Sequence, residues 1–152
     1  MRKILCLTML CLAVLLLLSS CKQQNPAEIL GLESGEYPNL GAIRFMNEPT
    51  VQVGEVCKPL ETCRFWEPDS KTAEILKYDD LEIDVWAEDP EVLEIVSVNR
   101  DKLTFQNCDG ITVKGLRAGT TKVYIQLTYI YTGGTFTDET TVTVVDPAEA
   151  AE

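Results

Sequence analysis

The sequence predicts an all-β antiparallel sandwich, and three observations carry that prediction. From Thr50 onward apolar and polar residues alternate with a period of two, turn signals recur every roughly 8–12 residues, and no stretch there sustains a helical period. Paired sheets are the natural way to bury the apolar face of such strands. Thr50–Val53 alternates and forms the first strand. Residues 69–77 (DSKTAEILK) fit one helical turn or the start of a strand equally well. Leu81, Ile83 and Val85 alternate with Glu82 and Asp84, which describes a half-buried strand with one wet face. After the turn Glu88-Asp89-Pro90 comes a strand over Val92–Val98. Lys102–Phe105 and Ile111–Val113 then flank the turn signal Asn107-Cys108-Asp109-Gly110. Thr121–Tyr131 is the clearest strand: Val123, Ile125, Leu127 and Tyr129 face one way, Lys122, Tyr124, Gln126 and Thr128 the other. Gly133-Gly134 supplies the positive φ of a tight hairpin, Thr140–Val145 returns, and Asp146-Pro147 stops it.

The sequence has 152 residues, with 13 Lys and Arg against 24 Asp and Glu, a net charge of −11. That length suits one domain, and 45% apolar content supplies a core. The acidic balance excludes nucleic acid as a partner, because such affinity comes from Lys and Arg neutralising phosphates. Histidine is absent, which excludes Ser-His-Asp and Cys-His catalysis and HExxH metal sites. The sequence indicates no cofactor and no enzyme.

The N-terminus reads as an export signal. Met1-Arg2-Lys3 is a short positive region, and Ile4–Leu18 is an almost purely apolar run of 15 residues. A membrane-crossing helix needs about 20 such residues, so the run is short for a span and right for a signal peptide. It ends in Leu18-Ser19-Ser20-Cys21, after which polarity rises abruptly at Lys22-Gln23-Gln24. That tetrapeptide resembles the lipobox of bacterial lipoproteins. The resemblance implies cleavage before Cys21 and acylation of its thiol and amine, which ties the protein to a bilayer. Two or three chains at about 0.8 kcal/mol per buried CH₂ make a lasting anchor where one does not. Loss of residues 1–20 removes Arg2 and Lys3 and takes the net charge to −13. Lys22 after the cysteine resembles the pattern sent to the outer membrane or cell surface in Gram-negative hosts. Residues 21–49, with Pro26, Pro38 and Pro49, read as the lipidated N-terminus and a flexible tether reaching about 30 Å. The sandwich then occupies residues 50–146, and residues 147–152 a disordered tail.

Val85-Trp86-Ala87-Glu88-Asp89-Pro90-Glu91-Val92-Leu93-Glu94-Ile95-Val96 resembles the W-x-S-x-(D/N)-P-x-V-A-x-V segment of group 2 bacterial Ig-like domains, the repeats of intimin- and invasin-type surface proteins. Gly115-Leu116-Arg117-Ala118-Gly119-Thr120-Thr121-Lys122-Val123-Tyr124-Ile125 resembles their G-x-x-A-G-T segment, and Thr141–Val144 their last strand. The resemblance covers about residues 47–146 and implies an Ig-like sandwich used in adhesion or in carbohydrate or protein recognition. In the G-x-x-A-G-T segment Gly119 would bend the chain and Ala118 would tuck beneath it. The family's Ser-Ser after the Trp is Ala87-Glu88 here, and residues 56–77 are longer than the matching region. Strict alternation from Leu81 also turns Trp86 away from the core, so a bulge near Val85 is required if Trp86 is to fill the sandwich.

Cys57, Cys63 and Cys108 remain after export. In an oxidising compartment Cys57 and Cys63 would close a small loop, with a link from either to Cys108 as the alternative; the third thiol is read as a buried small hydrophobe. The acids of Asp79–Asp84 splay along a strand rather than converging in a loop, so they read as a solvated face and no metal is expected. Tyr124, Tyr129, Tyr131 and Phe136, near the hairpin, are candidate contacts for a glycan or protein ligand, with ordinary cross-strand packing as the competing role. The expected function is a non-catalytic lipoprotein that displays an Ig-like binding or structural module at the bacterial envelope. Two alternatives accompany it. One is a peptidase inhibitor of Ig-like fold, of whose N-P-T-T-G-Y motif Tyr131-Thr132-Gly133-Gly134 is only a faint echo. The other is an envelope assembly factor that pairs through a free edge strand.

Overall fold

The computed structural model describes residues 25–38, 42–65, 75, 78–103 and 110–147. Among the described residues one short helix, α1 (Pro26–Leu30), precedes nine strands: β1 (Ala42–Phe45), β2 (Thr50–Gln52), β3 (Val56–Cys57), β4 (Thr62–Phe65), β5 (Leu81–Ala87), β6 (Leu93–Val98), β7 (Ile111–Gly115), β8 (Gly119–Tyr129) and β9 (Thr135–Val145). The period-two pattern is realised as two sheets, one in the order β2-β9-β8-β5 and the other β3-β7-β6, with β1 and β4 forming a separate antiparallel pair. Every pairing within the two main sheets is antiparallel except β2 with β9, which run parallel. This is the two-sheet strand arrangement of an Ig-like sandwich, with the first strand added beside the last.

The core lies between the sheets. Val123, Ile125 and Leu127 of β8 and Val142 and Val144 of β9 face Leu93 of β6 and Ile111 and Val113 of β7, all at most 1% exposed. Burying each such side chain stabilises by about 1.5–3 kcal/mol, which makes this layer the largest favourable contribution to the fold. Near Gln52 the chain passes from one sheet to the other, and Val53 bridges Gly115. A Cβ on Gly115 would lie 2.4 Å from the Gln52 carbonyl oxygen, so only glycine permits that crossing.

Several expectations are corrected by the structure. Part of the stretch read as a tether is built into the domain. The Asn25 side chain caps α1 by accepting from the Ala27 N–H at 3.0 Å, and Ala27 is buried against Leu81 and Tyr129. Ile43 of β1 is 1% exposed within the main core. Asn47 is tied on both sides: its Nδ2 donates to the Pro59 carbonyl at 2.7 Å, and its own carbonyl accepts from Thr140 Oγ1 at 2.6 Å. The apolar positions of this stretch are spaced by neither helix nor strand period, which concealed that they are buried.

At the hairpin, only Gly133 takes a positive φ, 72°. Gly134 is buried instead against the Glu36 backbone, where a Cβ would meet the Glu36 carbonyl carbon at 2.1 Å. The strand expected over Lys102–Phe105 begins instead as a 3-10 turn, Arg100–Lys102, followed by the buried Leu103; residues 104–109 lie outside the described residues. Ala118 is exposed rather than tucked beneath the bend. Residues 69–77, apart from Ile75, and the tail from residue 148 lie outside the described residues, as does the expected signal peptide.

Candidate functional site

Alternation along β5, β8 and β9 sets one row of side chains out from the four-stranded sheet. The register places Trp86 beside Tyr124 and Tyr124 beside Glu139, with Asp84, Gln126 and Thr137 forming the next row. No register shift interrupts β5 against β8, so the bulge that would have turned Trp86 inward is absent. Trp86 is 40% exposed and stacks on Tyr124, ring centroids 5.3 Å apart and planes inclined at 19°. The strand phase set by Leu81, Ile83 and Val85 prevails over the tryptophan's own preference for the core, because a bulge would have displaced Ile83 or Val85.

Charged groups frame this pair. Lys122 Nζ donates to Glu139 Oε1 at 2.6 Å, and that hydrogen bond holds the ammonium pKa above its usual value, with the Glu139 charge adding to it. The Tyr124 phenol is also held up, first by desolvation and then by the Glu88 charge, with Lys122 pulling the other way. Glu82 and Asp84 are exposed along the same edge. The face combines one aromatic ridge, several carboxylates, and the amide and hydroxyls of Gln126, Thr128 and Thr137. It can stack on a planar or ring-shaped ligand and hydrogen-bond to polar groups around it.

The four residues expected to line a ligand strip do not share one surface. Tyr124 is on the outer face just described. Tyr129 is fully buried beneath the hairpin, edge-on to Tyr131 at 5.4 Å, and its hydroxyl has no hydrogen-bond partner among the described residues. Burial pushes the Tyr129 pKa up to about 12, with the Asp80 and Tyr131 charges adding to it. Tyr131, 40% exposed, is raised in turn by desolvation, by the Asp80 charge and by its hydrogen bond with Asp80. Phe136 belongs to the inward set of β9, where it packs on Tyr37 at 5.9 Å and lies under the Arg44 guanidinium at 5.5 Å. Parity explains the division. Tyr129 shares the phase of Val123, Ile125 and Leu127, and Phe136 pairs with the inward Leu127. Trp86 was the residue missed as a contact, although its own phase in β5 pointed outward.

The cysteines also separate. Cys57 lies on β3 in the three-stranded sheet and Cys63 on β4 opposite Arg44, and no disulfide joins them. The expected Cys57–Cys63 bridge is therefore not formed, because the two ends of the short loop enter different sheets. Desolvation, then the Glu55 charge and a hydrogen bond with Glu55, push the Cys57 thiol pKa up. Such a thiol is a poor nucleophile. Cys21 and Cys108 lie outside the described residues. Among the described residues, no cluster of three or more His, Cys, Asp or Glu could hold a metal ion, and no helix is long and apolar enough to cross a membrane.

No protein-family model and no curated protein matches the chain, so its likeness to group 2 bacterial Ig-like domains rests on the residues quoted above. Among solved structures it is similar to the crystal structure of the S-layer protein SbsC domains 4 and 5, with a TM-score of 0.45 and 17% sequence identity. That match covers 72% of this chain and 47% of the other, so the chain spans about half the length of that neighbour.

Proposed function

We propose that this protein is a non-catalytic lipoprotein of the bacterial envelope, anchored through acylated Cys21, which recognises a carbohydrate or protein ligand through the outer face of the four-stranded sheet. The observation that carries the recognition reading is the Trp86–Tyr124 stack. A tryptophan with a sandwich core beside it stands instead among carboxylates on the wet face. Tryptophan and tyrosine placed that way are the residues most enriched at binding hot spots. The anchoring reading is supported by the apolar run Ile4–Leu18 and the sequence Leu18-Ser19-Ser20-Cys21.

Radiolabelled palmitate feeding tests the anchor. Label is expected on the wild-type chain and none on Cys21→Ala, and an unlabelled wild type would remove the lipoprotein reading. Protease shaving of intact cells, with a periplasmic control, then locates the sheet. Cutting while the control survives supports outward display and directs screening to glycans and host proteins; resistance until the envelope is opened defeats the adhesin reading. In either location Trp86→Ala is expected to abolish capture of the ligand while leaving the fold intact.

A further inference from the structure

The four edges of the two main sheets are not equally protected. β2 is three residues long and its continuation is bonded into the other sheet through Val53, Gly54 and Gly115. β3 has two residues. β6 has a register shift between Ile95 and Ser97, an irregularity of the kind that disrupts pairing with another chain. β5 is seven residues long, regular and free of proline. Its phase is fixed by two bonds, Glu88 N–H to the Lys122 carbonyl at 2.8 Å and Ile130 N–H to the Asp80 carbonyl at 3.0 Å. The even-numbered residues of β5 therefore bond β8, and the backbone groups of Ile83, Val85 and Ala87 point off the sheet. Among the described residues nothing meets them.

We propose that the free edge of β5 accepts an extended strand from a partner protein, one that carries Arg or Lys at alternate positions on the face shared with Glu82, Asp84, Trp86 and Glu88. The inference rests on the recognition reading above and names its partner. The backbone supplies generic attachment, and the side chains select. Glu82 and Asp84 are exposed on the outer face beside the edge, and Glu88 follows the strand. Tyr124 covers one face of the Trp86 indole from the β8 side, so the other face is turned toward the incoming strand, where a guanidinium can stack on it.

The same acids exclude a second copy of this chain. Antiparallel self-pairing centred on Asp84 sets Asp84 against itself, centred on Ile83 sets Glu82 against Asp84, and centred on Val85 sets Glu82 against Glu88. Like charges directly opposite one another destabilise a pair of strands.

The test uses the full-length chain in detergent micelles and a ten-residue peptide alternating lysine or arginine with valine and threonine. Two controls accompany it, one with glutamate in place of the basic residues and one with two valines replaced by proline. The basic peptide is expected to bind at least about tenfold more tightly than either control and to slow amide hydrogen exchange at Ile83 and Val85. Val85→Pro removes an edge N–H that β8 does not use, so the fold survives and binding is lost. Should that variant fail to fold, Asp84→Lys is expected to reverse the preference toward the acidic peptide. Equal binding of the proline peptide would reduce the attraction to charge alone and overturn the proposal. So would protection confined to β9, or no binding of the basic peptide at all. None of these outcomes depends on lipidation, which the palmitate experiment judges separately. A glycan ligand blocked by Trp86→Ala, with no peptide binding, would overturn the strand proposal and leave the recognition reading standing.

Discussion

Along β8, two opposite chemistries alternate at single-residue spacing. Val123, Ile125, Leu127 and Tyr129 are at most 1% exposed, whereas Lys122, Tyr124, Gln126 and Thr128 between them stand half-buried on the outer face. Both sets sit on the same eleven residues and share the same ladder with β5 and β9. Val123, Ile125 and Leu127 meet side chains from the opposite sheet, Tyr129 packs on Ala27 and Leu81, and none of the four has freedom to change. The outer set meets only its cross-strand neighbours, so a ligand-binding surface can be written there with little effect on the fold.

The largest expected effect comes from exchanging one residue on each face. Ile125→Ala removes a fully buried side chain and leaves a cavity between two sheets that cannot close. A loss of about 2–5 kcal/mol is expected, enough to unfold a marginally stable domain. Trp86→Ala removes a larger side chain from the outer face, yet it is expected to cost about 1 kcal/mol, chiefly the stacking on Tyr124. Urea unfolding of the two variants measures the contrast. If Trp86→Ala were as damaging as Ile125→Ala, the outer pair would be structural and the recognition reading would fall.

The next effect concerns Tyr129, an inner-face residue of β8 whose polar end is unsatisfied. The Tyr129 hydroxyl is buried without a partner among the described residues, and its pKa is pushed up to about 12. Unfolding releases it to about 10, so the folded chain holds that proton more tightly. The resulting stability is fully present below pH 10 and is lost as pH rises toward 12, by about 2–3 kcal/mol. Tyr129→Phe is expected to flatten the alkaline limb of a stability-against-pH curve. At pH 7 it is expected to be neutral or to stabilise by up to about 1 kcal/mol, because no hydrogen bond is broken and an unsatisfied polar atom is removed. A loss at pH 7 would mean that the hydroxyl has a partner in solution.

The contrast between faces also marks what could be read from the sequence. The alternation of Leu81–Val85 and of Thr121–Tyr131 placed β5 and β8 and their phase, with β8 ending two residues sooner at Tyr129, because one face of each is buried and the other wet. The same rule placed Trp86 outside, and the structure agrees with the period rather than with the family expectation of a core tryptophan. Where burial is not periodic the sequence was opaque. Ala27 and Ile43 pack into the domain from a segment whose prolines and glycines resemble a linker. The register shift between Ile95 and Ser97 falls where Ile95 and Val96 stand side by side and the alternation of Leu93-Glu94-Ile95 changes phase, which a reading of one continuous strand over Val92–Val98 passes over. Strand phase alone separates Tyr124 from Tyr129, whereas the surface that Phe136 joins is decided by the pairing of β8 with β9 and the packing of Tyr37 and Arg44.

The smallest effect tests how loosely the outer face is held. Lys122 and Glu139 form an ion pair at 2.6 Å, and both side chains are about half exposed. Water screens the pair and two flexible side chains must be ordered to make it, so Glu139→Gln is expected to change stability by less than about 1 kcal/mol, and less still at high salt. The Lys122 pKa is expected to fall toward its ordinary value, since the hydrogen bond and charge that raise it both come from Glu139. Tyr124 is expected to fall as well, because Glu139 is among the groups holding it up and Lys122 would remain to pull it down. NMR titration of the two groups in the variant measures both shifts. Falling pKa values with unchanged stability would show a face whose electrostatics can be retuned without disturbing the core behind it. A destabilisation as large as that of Ile125→Ala would mean that the ion pair is part of the fold, and the division between the two faces of β8 would not hold.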